Sequence, residues 1–238
     1  MDTSNTTHHI SHMFNKEMEN LRNQVLKMGG LVEQQIEGAV NALINTDVKL
    51  AEKIIRRDHK VNALEVRIDE ACTQILARRQ PAASDLRMVV AVIKTITDLE
   101  RIGDEAEKIA KMAIKLSEND AEFNSRYAGM QHLAKHVQRM VHDVLDAYAR
   151  LDVDAAIKVV RDDEDADTEY KNLIRLLMTY MMEDSKSITE VLNVIWAARA
   201  LERIGDHSKN IGEYVIYLVK GKDIRHLDLD EVEKDILS

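Results

Sequence analysis

The strings DLERIGDEAEKIA, Asp98 to Ala110, and ALERIGDHSKNIG, Ala200 to Gly212, share the core LERIGD, with Glu100 and Glu202 standing 102 positions apart. A 238-residue chain that repeats itself at that period is expected to fold as two like halves, each long enough to bury its own core. Each copy sets a glutamate and an aspartate four apart, Glu100 with Asp104 and Glu202 with Asp206, so both carboxylates leave one face of a helix. Like charges at that spacing cost an isolated helix roughly 0.2–0.5 kcal/mol. Something outside the helix, a cation or an arginine, must therefore neutralise them.

Composition fixes the class of element. One proline, eight glycines and 4% aromatics, with Ala, Leu, Ile, Val, Lys, Glu and Met abundant, describe long helices. A formal charge of −9 and a pI near 5.5 exclude nucleic acid as the main partner, because backbone binding needs a basic footprint. The lone cysteine, Cys72, has no partner for a disulfide, and its setting IDEACTQIL is that of a packed helix position in a reducing compartment. The start MDTSNTTHHISHMF lacks the basic and apolar regions of a secretory signal. The longest apolar run, Met88 to Ile93, falls far short of the ~20 residues of a spanning helix. A soluble, cytoplasmic protein able to dock on a membrane protein is the expectation.

Along the chain, residues 1–12 are expected to be unstructured, with His8, His9 and His12 solvated. From Phe14, the positions Met18, Leu21, Val25, Met28, Val32, Ile36, Val40 and Leu43 form a helical seam, in which Gly29 and Gly30 are candidates for a kink. Asn45, Thr46 and Asp47 can cap a second helix reaching Arg79, with Leu50, Ile54, Val61, Leu64, Ile68, Ala71 and Ile75 as its stripe and Asp58, Asn62, Glu65 and Asp69 on a flank. Pro81 ends it, and Ser84 can cap a third helix. There Leu86, Val90, Ile93 and Thr97 lead on one face into Glu100 and Asp104, while Val92, Leu99, Ala106, Ile109 and Ala113 keep a second stripe. Carboxylates thus replace hydrophobes on a face that starts as core.

SENDAEFNS, Ser117 to Ser125, reads as a linker, after which the plan restarts. Leu133, Val137, Val141, Val144, Tyr148 and Leu151 mark a fourth helix, Asp152 can cap a fifth, Asp184 or Ser185 a sixth, and Gly221 can end that sixth. In the sixth, Ile188, Leu192, Ile195 and Arg199 lead into Glu202 and Asp206. The second helices of the two halves align as KIIRRDHKVN with KVVRDDEDAD, setting Asp58 against Asp163 and Asn62 against Asp167. The fold class is all-α: two tandem three-helix bundles related by an internal pseudo-twofold repeat, over residues 1–118 and 119–238, with 222–238 a weakly patterned acidic tail.

Two acidic patches, each drawn from the second and third helices of one half, repel strongly unless a multivalent cation sits among them, and an all-oxygen donor set suits Mg, Ca, Mn or Fe. Gly103 and Gly205 at matching positions point to close approach by a backbone or ligand. The bland alternative pairs Glu100 and Asp104 with Arg101, Arg67 or Arg87 on a solvated face. His132 and His136, also four apart, have no obviously matched carboxylate, His207 occurs in one repeat only, and Trp196, Met178, Met181 and Met182 are read as core. Catalysis finds little support: there is no HExxH, no phosphate-binding glycine loop, no activated nucleophile and no Glu-x-x-His pair of the di-iron type.

The paired LERIGD strings, PAASDLRMVVAVIKTITDLERIGDEA, and MTYMMEDSKSI followed by ARALERIGDHSKNI resemble the PhoU family, the accessory regulators of phosphate-specific transport, over Phe14 to Gly221. The resemblance implies two three-helix bundles and Glu/Asp-x-x-x-Asp motifs that bind multinuclear metal clusters in some members. Position by position, those motifs fall on Glu100, Asp104, Glu202 and Asp206, with Asp58, Asp163 and Asp167 as second-helix contributors and Fe, Mn, Mg or Zn as possible ions. Asn62, where the second half has Asp167, implies a first site of lower negative charge. The implied role is a cytoplasmic negative regulator of the phosphate-starvation response. It would be a homodimer, peripheral to a membrane complex, linking the ATPase subunit of the phosphate ABC transporter to a sensor histidine kinase. Alternatives of other classes are a carboxylate-bridged metalloenzyme and a metal-free helical adaptor.

Overall fold

The computed structural model describes residues 3–81, 83–118, 127–225, 227 and 229, and the helices among them run in chain order as α1 Thr3–Asn45, α2 Val48–Arg57, α3 His59–Arg79, α4 Ala83–Glu118, α5 Ala128–Arg150, α6 Val153–Glu183 and α7 Ile188–Lys220. A short 3-10 turn, Ser185–Ser187, joins the last two. Most of the linker Ser117 to Ser125, the end of the 222–238 tail, and the side chains of His8, His9 and His12 lie outside the described residues.

Local chemistry sets most boundaries. Asp47 accepts from Leu50 N–H at 3.0 Å and opens α2, and Asp152 accepts from Ala155 N–H at 3.0 Å and opens α6, so both orphan first turns are satisfied by carboxylates. Asp184 does the same for the 3-10 turn through Lys186 N–H. Gln80 (φ 45°) ends α3 just before Pro81, and Gly221 (φ 73°) ends α7 with its N–H on Tyr217 C=O. Three boundaries differ from expectation. α1 begins at Thr3, because nothing between Thr3 and Phe14 breaks a helix. α4 begins at Ala83, leaving Ser84 inside its first turn. The expected second helix is two, α2 and α3, divided at Asp58, where Val61 N–H closes on the Asp58 carbonyl at 2.9 Å in a tighter turn.

α1, α2–α3 and α4 form one bundle, and α5, α6 and α7 the other. The α1 seam is buried from Met18 to Leu43, as are Ile54, Val61, Leu64, Ile68 and Ile75 opposite it and Leu133, Val137, Val141, Val144 and Tyr148 in α5. Each such Leu, Ile or Val contributes about 1.5–3 kcal/mol on leaving water. The bundles meet through α4 against α7 and α1 against α5. α1 runs as one helix through Gly29, and a Cβ there would lie 2.5 Å from Leu145 Cδ2, so the glycine lets α5 close on α1. The α4–α7 seam is not wholly apolar. Asp98 Oδ1 meets His207 Nδ1 at 2.7 Å and Asn210 Nδ2 at 3.1 Å, and buried Glu105 meets Arg203 Nε at 2.9 Å.

Candidate functional site

The break at Asp58 is where the first cluster is built. The Asp58 carboxylate is buried and takes one bond on each oxygen, from Gln35 Nε2 of α1 at 3.1 Å and from Asn62 Nδ2 at 3.0 Å. Opposite it, α4 presents Glu100 and Asp104 half-buried, with Gly103 between them. A Cβ on Gly103 would stand 3.2 Å from Gln35 Oε1 and 3.4 Å from Asp58 Oδ1, so glycine keeps open the space onto which these two oxygens face. Gln35 Oε1 and Asn62 Oδ1 are buried acceptors without a donor. Such orphans cost free energy unless a ligand, ion or water completes them.

Charge at this cluster accumulates. Burial pushes the Glu100 carboxyl above its ordinary range, and Asp104, Glu65 and Asp58 add to it. Burial, then Asp58, raises Asp104; burial, then Asp69 and Asp104, raises Glu65. Arg101 only partly opposes this at Glu100 and Glu65, and Arg87 lies instead against Gly221 at the end of α7. The solvated arginine pairing envisaged for Glu100 and Asp104 is therefore not the arrangement found.

The second cluster repeats the scaffold with different fittings. Asp163 and Asp167 of α6 face Glu202 and Asp206 of α7, and single carboxylate oxygens of Asp167, Glu202 and Asp206 lie within 4.8 Å of one another. Glu202 is pushed up to about 7 by burial and then by Asp206; Asp206 is raised by burial, then Asp163 and Asp167. Glu202 Oε2 is a buried acceptor without a partner. Arg101 and Lys108 act on the first cluster through space, whereas the second cluster has cations bonded directly to its carboxylates. Lys209 Nζ donates to Asp163 Oδ2 at 2.9 Å, Arg199 pairs with Glu202 Oε1 while lying over the Tyr170 ring, and Lys171 reaches Asp167 at 3.0 Å.

In the first half Thr97 stands where the second has Arg199, Glu107 where it has Lys209, and Glu65 where it has Tyr170. The first cluster thus lacks the equivalents of those three side chains, while Asn62 gives it one carboxylate fewer at the Asp167 position. Oxygen-only donors with orphaned acceptors beside them are the donor set a hard cation takes; among the described residues only Asp167, Glu202 and Asp206 bring three carboxylate oxygens within 4.8 Å of one another, while Asp58, Glu100, Asp104 and Gln35 line the corresponding place in the first half.

Several side chains lie where sequence reasoning did not put them. His207 is buried in the α4–α7 seam on Asp98, turned to the other bundle. His132 and His136 do have a carboxylate, since their Nδ1 atoms approach the two oxygens of Glu169 at 3.0 and 3.1 Å. Trp196 (62% exposed), Met178 and Met182 are on the surface, and Met181 is partly buried. At the start of α4 and α7, Leu86, Ile188 and Leu192 are exposed, so the faces leading into the carboxylates are flanks and not core. The signal for Gln35 was an amide in register with Met28, Val32 and Ala39 on the apolar seam.

The comparisons agree with this architecture. The PhoU domain model matches residues 25–113 and 130–215, one copy in each bundle. A phosphate-specific transport system accessory protein PhoU homolog of Pseudomonas aeruginosa is 52% identical over 230 residues, covering 97% of this chain and 95% of that protein. The crystal structure of PhoU from Pseudomonas aeruginosa superposes with a TM-score of 0.85 at 53% identity, covering 88% of this chain and 100% of that one. That of the phosphate transport system regulatory protein PhoU from Streptococcus pneumoniae gives 0.81 at 31% identity, covering 88% and 98%. Two copies of one domain, each ending in its own LERIGD helix, make this chain a member of the PhoU family.

Proposed function

We propose that this chain is a cytoplasmic, non-enzymatic accessory regulator of phosphate-specific transport that holds divalent or ferric ions in its two acidic clusters. The observation that carries the reading is the duplicated oxygen-only cluster with a buried acceptor left open in each copy, Gln35 Oε1 and Glu202 Oε2. A relative at 52% identity is named as an accessory protein of the phosphate-specific transport system. No helix among the described residues is long and apolar enough to cross a membrane, which fits attachment to a transporter from one side. The net charge of −9 turns the protein toward cations and basic protein surfaces and away from nucleic acid.

In this reading metal in the clusters ties the second and third helices of each bundle together and fixes the surface that meets the partners. Those are the ATPase subunit of the phosphate ABC transporter and a sensor histidine kinase, bound by a homodimer when phosphate is plentiful. The kinase is thereby biased against phosphorylating its regulator, and the starvation response stays off. Replacing Glu202 and Asp206 by alanine derepresses the response at high phosphate; unchanged repression by a stably folded variant overturns the reading.

A further inference from the structure

The corner where α2 meets α3 is basic in a protein that is acidic as a whole. Lys53, Arg56, Arg57, His59 and Lys60 stand there within two turns, against a net charge of −9 for the chain. The carboxylates nearby are already engaged. Glu52 holds Arg56 at 3.2 Å, and buried Asp58 accepts from Gln35 and Asn62. Among the described residues, Arg57 and Lys60 have no ion-pair partner.

These two cations rim a cavity of about 260 Å³ between α1 and the α2–α3 corner. Its floor is apolar, formed by Leu31, Ile54 and Val61, and the exposed amide of Gln34 joins Arg57 and Lys60 at the mouth. Buried Gln35 closes the inner wall, and with Val61 it separates the cavity from Gly103 and the first acidic cluster. Donors at the rim over hydrocarbon below make a pocket for an anion that carries an apolar body.

The internal duplication shows that the helices do not need this charge. The register of KIIRRDHKVN with KVVRDDEDAD sets Arg57 on Asp162, His59 on Glu164 and Lys60 on Asp165. The matching caps Asp47 and Asp152 set Gln34 on Arg139. The second bundle thus builds the same corner with carboxylates where the first has cations. Packing does not account for the sign of the charge, whereas a ligand of opposite sign does.

The cations also select among anions. Arg57 offers a planar fork that meets two oxygens at once, and Lys60 adds a point charge beside it. Two positive charges match a phosphate monoester, which carries about −1.5 to −2 near neutral pH, better than a carboxylate with one. The apolar floor favours a monoester over inorganic phosphate. The cavity is smaller than the roughly 300–1,000 Å³ of sites for drug-sized ligands, so the body is small.

We propose that the cavity between α1 and the α2–α3 corner binds a small organic phosphate monoester, its phosphoryl oxygens held by Arg57, Lys60 and Gln34 and its apolar body resting on Leu31, Ile54 and Val61. Arg57 and Lys60 belong to neither acidic cluster, so the site is independent of any metal there.

The probe is phenyl phosphate, titrated in chelator into the isotope-labelled full chain and followed by amide NMR, with inorganic phosphate, benzoate and a phosphoserine peptide as comparators. The expected result is saturation with a Kd of ~1 mM or below, with shifts confined to the Gln34 and Gln35 side-chain amides and the backbone around Arg57 and Lys60. Inorganic phosphate and benzoate bind at least ~3-fold more weakly. The variant Arg57→Asp, Lys60→Asp, which copies the second bundle, and the milder Arg57→Gln, Lys60→Gln each weaken phenyl phosphate at least ~10-fold. Both side chains are exposed, so the glutamine variant keeps the native spectrum elsewhere. Equal affinity for inorganic phosphate or benzoate overturns the proposal in favour of a general oxyanion site, and tighter binding of the phosphoserine peptide overturns it in favour of a phosphoprotein partner. Shifts that spread over the surface without saturating, unchanged affinity in both variants, or loss of the native spectrum in the glutamine variant also overturn it.

Discussion

Gln35 of α1 donates its Nε2 to Asp58 Oδ1 at 3.1 Å, and its own Oε1 then faces the gap over Gly103 without a donor. One amide thus anchors the carboxylate at the break between α2 and α3 and offers an acceptor to whatever enters the cluster. The second half uses Met140 near Gly205 instead and neutralises Asp163 with Lys209.

Gln35→Leu should therefore remove a bond to a buried carboxylate and cost roughly 1–3 kcal/mol in urea unfolding measured in chelator. It should also weaken cation binding at the first cluster while leaving the second unchanged. Equal stability and equal binding at both clusters would show that Gln35 is a bystander.

The two clusters should differ in their demand for cation. Arg199 and Lys209 compensate the second internally, whereas Thr97 and Glu107 occupy those positions in the first. Calorimetric titration with Mn²⁺ should give two classes of site, the tighter one abolished by Glu100→Gln with Asp104→Asn. Substituting Lys209→Met should raise the affinity of the second class, because a competing cation has gone.

Stability in chelator should fall as pH rises. Glu202 titrates at about 7 in the folded protein, against its ordinary 4.5. Between those values the folded state binds more protons at Glu202 than the unfolded one, so the contribution of this group is greatest below about 4.5 and is lost as pH passes about 7. Glu202→Gln should flatten that slope, and added Mn²⁺ should oppose it. Melting curves from pH 5 to 8 read the effect; a slope identical in wild type and variant would rule Glu202 out.

Cys72 is buried and its thiol is pushed up to about 12, mainly by burial. A thiol reagent at pH 8 should label the folded protein only as fast as it opens, and label it fully in denaturant. Rapid labelling of the native protein would contradict the packing around α3.

Much of the fold was legible because it is written locally. The seam from Met18 to Leu43 repeats at helical spacing, Asp47 and Asp152 cap within three residues of themselves, and Gly221 stands at a helix end. The four carboxylates of the LERIGD strings were legible through repetition. The break at Asp58 was not, since the bonds that accompany it come from Gln35, 23 residues away, as well as from Asn62 in the next turn. His207 looked incidental because its partner Asp98 is 109 positions distant. Trp196 and Met182 looked like core because periodicity reports which residues share a face and not whether anything in the same chain covers it.

The most direct test of the account is metal content. Protein purified without chelator or affinity tag should carry stoichiometric divalent or ferric ion by elemental analysis. The folded variant Glu100→Ala, Asp104→Ala, Glu202→Ala, Asp206→Ala should carry none. Equal metal in both, or none in the wild type at cellular ion concentrations, would contradict the claim that the duplicated clusters are cation sites.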